Sequence, residues 1–196
     1  MIVVRDYDPA WPERFEELKR DYGAAMAAAG VPIVAIEHVG STAVPGLAAK
    51  PRIDCDIVVP ADAVGAASDV LVALGFEPEG ELGVPQRWAF AEPPSFAGTN
   101  TYVVVDGCLS LRNHLCVRDT LRADPELRRE YAIVKQAAAA NAADLEDYGR
   151  HKDTVIQKIL AAGGMSEADR ASIGRNPIPS LRSTPRLPRP PETGQT

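Results

Sequence analysis

The stretch Ile53-Asp-Cys-Asp-Ile-Val-Val59 is the strongest constraint on the fold. Its β-branched density predicts a strand, over Arg52 to Val59. Alternation along it sends Ile53, Cys55 and Ile57 to one face and Asp54 and Asp56 to the other. The two carboxylates then stand about 6.6 Å apart at their backbones, on the same side of a sheet. Two like charges so placed call for something cationic between them. A hard divalent cation, Mg2+ or Mn2+, meets that need and leaves coordination positions for phosphate oxygens. Just upstream, Gly40-Ser-Thr-Ala-Val-Pro-Gly46 reads as a turn-rich connection. Gly40 permits close approach to the backbone, and the Ser41 and Thr42 hydroxyls with nearby N–H groups suit a phosphate. Alone, a D-x-D pair is usually a solvent-facing pair and a Gly-Ser turn only a turn; together they are more specific.

The elements around this stretch predict an α+β domain. Asp8-Pro9 reads as a helix cap with proline at the first helical position. Trp11, Phe15, Leu18 and Tyr22 then make one apolar stripe of core packing. Val31 to Val39 reads as a buried strand, Val64 to Leu74 as a helix of small residues, and Gln86 to Ala91 and Thr101 to Val105 as two further strands. From Leu109 the pattern is helical: Asp124-Pro125-Glu126 repeats the cap signal, Leu127, Tyr131 and Val134 form a stripe, and a last helix is expected from Asp144 to Ala162 with Val155, Ile159 and Ala162 inward. Strands first and helices at the end favour α+β over alternating α/β.

At 196 residues one domain is expected, over residues 1–162. Residues 163–196 carry Pro177, Pro179, Pro185, Pro188, Pro190 and Pro191 with scattered arginine and little apolar surface, the composition of a disordered or loosely docked tail, either simply solvated or able to dock a partner. The net charge of −6 argues against coating nucleic acid or an anionic membrane. The first apolar run breaks at Arg5 and no stretch approaches a membrane span, so a cytoplasmic setting is expected. Cys55, Cys108 and Cys116 form no C-x-x-C pair, which supports neither a disulfide framework nor a zinc site.

An apolar residue, Gly-Ser, the twelve residues Thr42 to Ile53, then Asp-apolar-Asp-apolar is the pattern of the DNA polymerase beta-like nucleotidyltransferase superfamily. Tyr7-Asp-Pro-Ala-Trp-Pro12, Ile36-Glu-His-Val-Gly-Ser-Thr-Ala-Val-Pro-Gly-Leu-Ala-Ala-Lys-Pro51, Ile53-Asp-Cys-Asp56, Arg118-Asp-Thr-Leu-Arg122 and Tyr131-Ala-Ile-Val-Lys135 resemble, in the same order, the GrpB family within it. The resemblance covers residues 1–162. It implies a nucleotidyltransferase-like mixed β-sheet with an N-terminal helix and C-terminal helices, in a family found alone or fused behind dephospho-CoA kinase. Activity follows only by analogy. Carried over, Gly40, Ser41 and Thr42 would cradle triphosphate, and Asp54 and Asp56 would hold the metal. Lys50 is either a phosphate contact or a surface lysine closing its loop.

Several candidates carry open alternatives. Glu37 and His38 alternate on their strand, so one of them faces the site. Superfamily catalysts usually add a third carboxylate on a later strand. GrpB relatives tend to carry a histidine there, where this chain has Asn100-Thr101-Tyr102. Tyr102 is a poor metal ligand and, near neutral pH, a poor base. Asp106, four residues on, is the candidate replacement or an ordinary Asp-Gly turn. Arg118 and Arg122 share a helical face, and either bind an anion or are neutralised by Asp119 and Glu126. Arg87 and Lys152 are candidates to add positive charge to the cleft. Tyr131 and Lys135, one turn apart, are candidates to line a base or acceptor pocket, unless Tyr131 is core. His38, His114 and His151 are dispersed, and no G-x-S-x-G elbow supports a serine hydrolase.

The leading expectation is a Mg2+-dependent nucleotidyltransferase-like enzyme moving NMP from an NTP to a small acceptor. A nucleotide-binding or chaperone-like interaction domain without turnover, which Tyr102 favours, and a metal-dependent phosphate-ester hydrolase are the other readings.

Overall fold

The computed structural model describes residues 4–141 and 145–173. A first helix, α1 (Trp11–Ala28), precedes β1 (Ala35–Val39) and, after a short 3-10 turn at Ser41–Ala43, β2 (Ile53–Val59). Then follow α2 (Val64–Ala73), β3 (Glu77–Gly80), β4 (Arg87–Ala91) and β5 (Thr99–Val105). The helices α3 (Leu109–Ala123), α4 (Pro125–Asn141), α5 (Leu145–Ala162) and α6 (Glu167–Ile173) close the described chain.

The strands form one mixed sheet in the order β1-β2-β5-β4-β3. β2 runs antiparallel to β1 and parallel to β5, and the remaining pairs are antiparallel. The expected α+β class is what the chain adopts. On one face, Ile36, Ile53, Cys55, Ile57 and Val103 join Phe15, Leu18, Tyr22 and Met26 of α1 and Ala67 and Leu71 of α2 in the main core. On the other face, Val58 and Val104 meet Cys108 and Leu111 at the start of α3. A third cluster ties Val44 and Leu47, in the loop after the 3-10 turn, to Leu121, Leu127, Tyr131, Val155 and Ile159 of α3, α4 and α5. The helical third is thus docked on the loop that joins β1 to β2, which fixes the loop's position over the strand ends.

Local differences from the sequence reading have physical causes. Asp8 does not cap α1: its Oδ1 accepts from the Ala10 N–H at 2.9 Å and its carbonyl from the Trp11 N–H at 3.1 Å. The Asp8-Pro9 pair therefore makes a turn, and the helix begins at Trp11, with proline in its first turn at Pro12. Asp124 does cap, its Oδ1 accepting from the Glu126 and Leu127 N–H groups at 2.9 Å each. The sequence reading missed β3 because Glu77-Pro-Glu-Gly lacks alternation and contains proline, a composition tolerated at the sheet edge it occupies. Ala162 is exposed, whereas Leu160 takes an inward position. Residues 167–173, placed in the tail by composition, form α6, where Asp169 accepts from Arg112 at 2.8 and 3.1 Å. Residues 174–196 lie outside the described residues. No helix among the described residues is long and apolar enough to cross a membrane.

Candidate functional site

The register of the sheet gathers the site on the face opposite α1 and α2. Asp54 pairs with Val39 on β1 and Asn100 on β5; Asp56 pairs with Glu37 and Tyr102. Residues opposite one another across adjacent strands share a face. Glu37, Asp54, Asp56, Asn100 and Tyr102 therefore lie together on one side.

Each acid is held by one neighbour. Asn100 donates from Nδ2 to Asp54 Oδ1 at 2.6 Å, while its own Oδ1 accepts from Arg52 Nε at 2.9 Å. That second bond fixes the amide orientation. Arg52 is anchored in turn by Glu92 Oε1 at 2.7 Å and by the Thr99 carbonyl. Burial raises the Asp54 pKa, partly offset by the Asn100 hydrogen bond. Asp56 is fully buried, and His114 on α3 donates from Nδ1 to its Oδ2 at 2.6 Å. Its Oδ1 is buried without a hydrogen-bond partner among the described residues. Asn100, Arg52 and His114 were not singled out from sequence as site residues. Their roles depend on which strands neighbour β2 and where α3 docks.

Gly40 has φ 70° and ψ −169°, a region nearly restricted to glycine. A Cβ there would lie 2.1 Å from Asp54 Oδ2. The room left by the missing side chain is occupied by the Asp54 carboxylate, not held open for a ligand as expected. Ser41, half-buried, starts the 3-10 turn.

Thr42 faces inward and braces the turn. Its Oγ1 donates to the Arg52 carbonyl at 3.2 Å. With that single proton used, His38 Nε2, 3.0 Å away, must be the donor to Thr42. His38 is buried on the α1 face, stacked on Phe15 with ring centroids 4.6 Å apart. Burial, with Arg122 and Arg118 nearby, lowers its pKa to about 4. Of the alternating pair, Glu37 is therefore the one that faces the acids. The Thr42 hydroxyl, expected at the phosphate, is committed to the fold.

The α3 arginines clamp the same turn. Arg118 Nη1 donates to Glu37 Oε2 at 2.6 Å and to the His38 carbonyl at 3.2 Å, and Nε donates to Asp119 Oδ1 at 2.7 Å. Arg122 Nε donates to the Ala43 carbonyl at 2.9 Å. Its Nη1 lies 3.8 Å from Asp119. Asp119 and Glu37 balance the pair, and no ion pair among the described residues joins Glu126 to either arginine. Lys135 is buried and donates from Nζ to the Ala48 carbonyl at 2.9 Å. Lys50, half-buried, closes the loop before Pro51.

Asp106 does not join the acids. β5 ends at Val105, paired with Val59 at the far end of β2, which puts exposed Asp106 about 20 Å along the strands from Asp54. Tyr102 remains beneath the guanidinium of Arg87, whose Cζ is 4.7 Å from the ring centroid. Tyr131 is core. Lys152 and His151 have side chains outside the described set.

Matching the chain against known families, the GrpB protein family fits residues 1–162. The chain belongs to the GrpB family. GrpB relatives include the UPF0157 protein YqkA of Bacillus subtilis, 35% identical over 153 residues that make up 77% of this chain and 44% of that protein. A UPF0157 protein of Pseudomonas aeruginosa is 39% identical over 166 residues, 81% of this chain and 66% of that one. This GrpB chain thus spans about half to two thirds of the length of these two relatives. The crystal structure of GrpB from Enterococcus faecalis superposes with a TM-score of 0.70 at 30% identity, covering 82% of this chain and 96% of that one. At fold level, the GLD-2/RNP-8 complex matches with a TM-score of 0.51 at 16% identity over 78% of this chain and 60% of that chain. The Cid1 poly(U) polymerase bound to MgGTP matches with 0.50 at 14% over 76% and 50%. The GrpB chain has a nucleotidyltransferase-like fold.

The fold implies a divalent metal, and the donors present suit one. Two hard carboxylates share a face, and one buried Asp56 oxygen has no partner among the described residues. No group of three His, Cys, Asp or Glu side chains among the described residues is placed to hold an ion alone. Mg2+ is commonly held by one or two carboxylates, with phosphate oxygens and water completing the shell.

Proposed function

We propose that this GrpB protein binds a nucleoside triphosphate with Mg2+ or Mn2+ over the β2 face and transfers its NMP to a small acceptor. The observation that carries this reading is the orphaned Asp56 Oδ1, buried two residues from Asp54, whose own carboxylate lies against Gly40 of the turn. Asp54 and Asp56 would hold the cation. Bound there, it supplies charge neutralisation for the phosphate oxygens and the leaving pyrophosphate.

The chain's own residues position and balance. His114 holds one Asp56 oxygen so that the other keeps a fixed direction. Asn100, held by Arg52, does the same for Asp54. Ser41 would donate to a phosphate oxygen, with Lys50, Arg122 and Arg118 supplying positive charge along the turn. The acceptor oxygen bonds the α-phosphorus, the α–β anhydride bond breaks, and the acceptor proton leaves to water. The net charge of −6 supports a small acceptor over nucleic acid and a membrane surface. A cytoplasmic setting belongs to the same proposal.

A second reading, nucleotide binding or a chaperone-like interaction without turnover, is favoured by two details. Tyr102 stands opposite Asp56 where catalysts carry an acid or a base, and Glu37 is bound by Arg118. Incubation with α-labelled NTPs, Mg2+ and a metabolite extract separates them. Labelled adduct with pyrophosphate supports transfer, whereas tight binding with unchanged NTP supports the second reading. Free phosphate instead marks hydrolysis.

A further inference from the structure

Arg87, on β4, is enclosed by the fold with two guanidinium donors that meet no acceptor among the described residues. It is 6% exposed, and neither Nε nor Nη2 has a hydrogen-bond partner among the described residues. The Tyr102 ring centroid lies 4.7 Å from its Cζ. An aromatic face attracts the cation, but it satisfies no N–H donor in the guanidinium plane. Arginine stays charged at any pH a protein survives, so it cannot relieve the burial by losing a proton. A planar fork left this way fits two oxygens of a carboxylate or phosphate.

Its position gives that oxyanion a place in the reaction. Asp56, Tyr102 and Ala89 lie in one row across β2, β5 and β4, and Arg87 is two residues along β4 from Ala89. Arg87 therefore shares the face of the two acids, with its backbone about 12 Å from that of Asp56 by strand spacing and rise. The side chain folds back over Tyr102 and shortens the gap. Two orphans of opposite sign, Asp56 Oδ1 and the Arg87 donors, thus flank the Tyr102 ring.

We infer that Arg87 and Tyr102 form the acceptor subsite, and that the acceptor is a small hydroxyl compound bearing an oxyanion, a carboxylate or a phosphate, seated on the Arg87 fork. The hydroxyl lies toward Asp54 and Asp56, and the oxyanion lies over Tyr102. The word acceptor rests on the nucleotidyl-transfer reading; the anion site stands on Arg87 itself.

The test follows the arginine Nε–H resonances of the 15N-labelled protein. The enclosed Arg87 Nε–H exchanges slowly and is identified by its loss in Arg87→Met. Sodium phosphate, sodium acetate and sodium chloride are titrated at matched ionic strength. The Arg87 resonance should move saturably with phosphate or acetate and not with chloride, and the stronger of the two names the oxyanion. Arg87→Met should melt no lower than the wild type, since it removes an unpaired buried charge, and should lose at least tenfold in affinity for that oxyanion. An Arg87 resonance that ignores both anions overturns the inference. So does an Arg87→Met protein that melts far lower while Arg87→Lys restores it, because that makes Arg87 a structural brace. Mg2+–nucleotide binding is measured on the same samples. Nucleotide binding with a silent Arg87 sinks the subsite alone, whereas a responsive Arg87 without nucleotide binding sinks the transfer reading alone.

Discussion

Replacing Gly40 by alanine tests how the turn and the acids are joined. The new Cβ would sit 2.1 Å from Asp54 Oδ2 and 2.9 Å from its Cγ, so the carboxylate must leave. Leaving breaks the 2.6 Å hydrogen bond from Asn100, worth about 1.5–3 kcal/mol for a charged acceptor. The backbone at φ 70°, ψ −169° adds about 1–3 kcal/mol for a residue with a Cβ. Together, Gly40→Ala should cost about 2.5–6 kcal/mol in urea unfolding, a large share of the stability of a domain this size. The cycle with Asp54→Ala separates the two parts. With Asp54 already truncated, the Gly40→Ala cost should fall by about 1.5–3 kcal/mol, leaving the backbone part. A Gly40→Ala protein within about 1 kcal/mol of wild type, or a cycle without coupling, would refute the packing of Asp54 against this turn.

Acid should unfold the protein partly through His38. Its folded pKa lies below the unfolded one, so the stability it confers is present above the unfolded pKa of about 6.5 and is lost as pH falls toward about 4. At 1.36 kcal/mol per unit that depression represents on the order of 3 kcal/mol, and a His38→Gln variant should show a flatter melting profile across that window; an unchanged profile contradicts the buried neutral ring. Arg122→Ala removes a half-exposed donor to Ala43. Apo stability should change little while nucleotide affinity falls about tenfold; lost stability with intact affinity would make Arg122 a brace. Ending the chain after Ala162 removes α6, none of whose residues is buried and whose Asp169 pairs with Arg112 at the surface, so the melting midpoint should move by no more than about 2 °C, and a larger drop would show that the Arg112–Asp169 contact stabilises the domain.

What was legible in the sequence follows the range of the forces involved. The shared face of Asp54 and Asp56 is a local consequence of alternation in a strand, and the turn at Gly40 follows from its glycine and serine. Alternation likewise told that only one of Glu37 and His38 faces the acids, though not which. The partners were hidden because they come from strand register and helix docking. Asn100 reaches Asp54 across β2 and β5, which are 46 residues apart in chain position, and His114 reaches Asp56 across 58. Asp106 was misplaced because counting along one strand ignores where the strand stops. Thr42 was misassigned because the spacing that puts a hydroxyl in a turn does not say that His38 and the Arg52 carbonyl will take it.

The central claim is that Asp54 and Asp56 form a metal-dependent nucleotide site. Thermal unfolding with Mn2+ and a non-hydrolysable NTP, in the wild type and in Asp54→Asn plus Asp56→Asn, measures it directly. The wild type should gain a concentration-dependent rise in melting temperature that needs both metal and nucleotide. In the double variant the fold should persist, because asparagine keeps an oxygen at each position to accept from Asn100 and His114, and the rise should vanish. An equal ligand-induced rise in both proteins would contradict the claim.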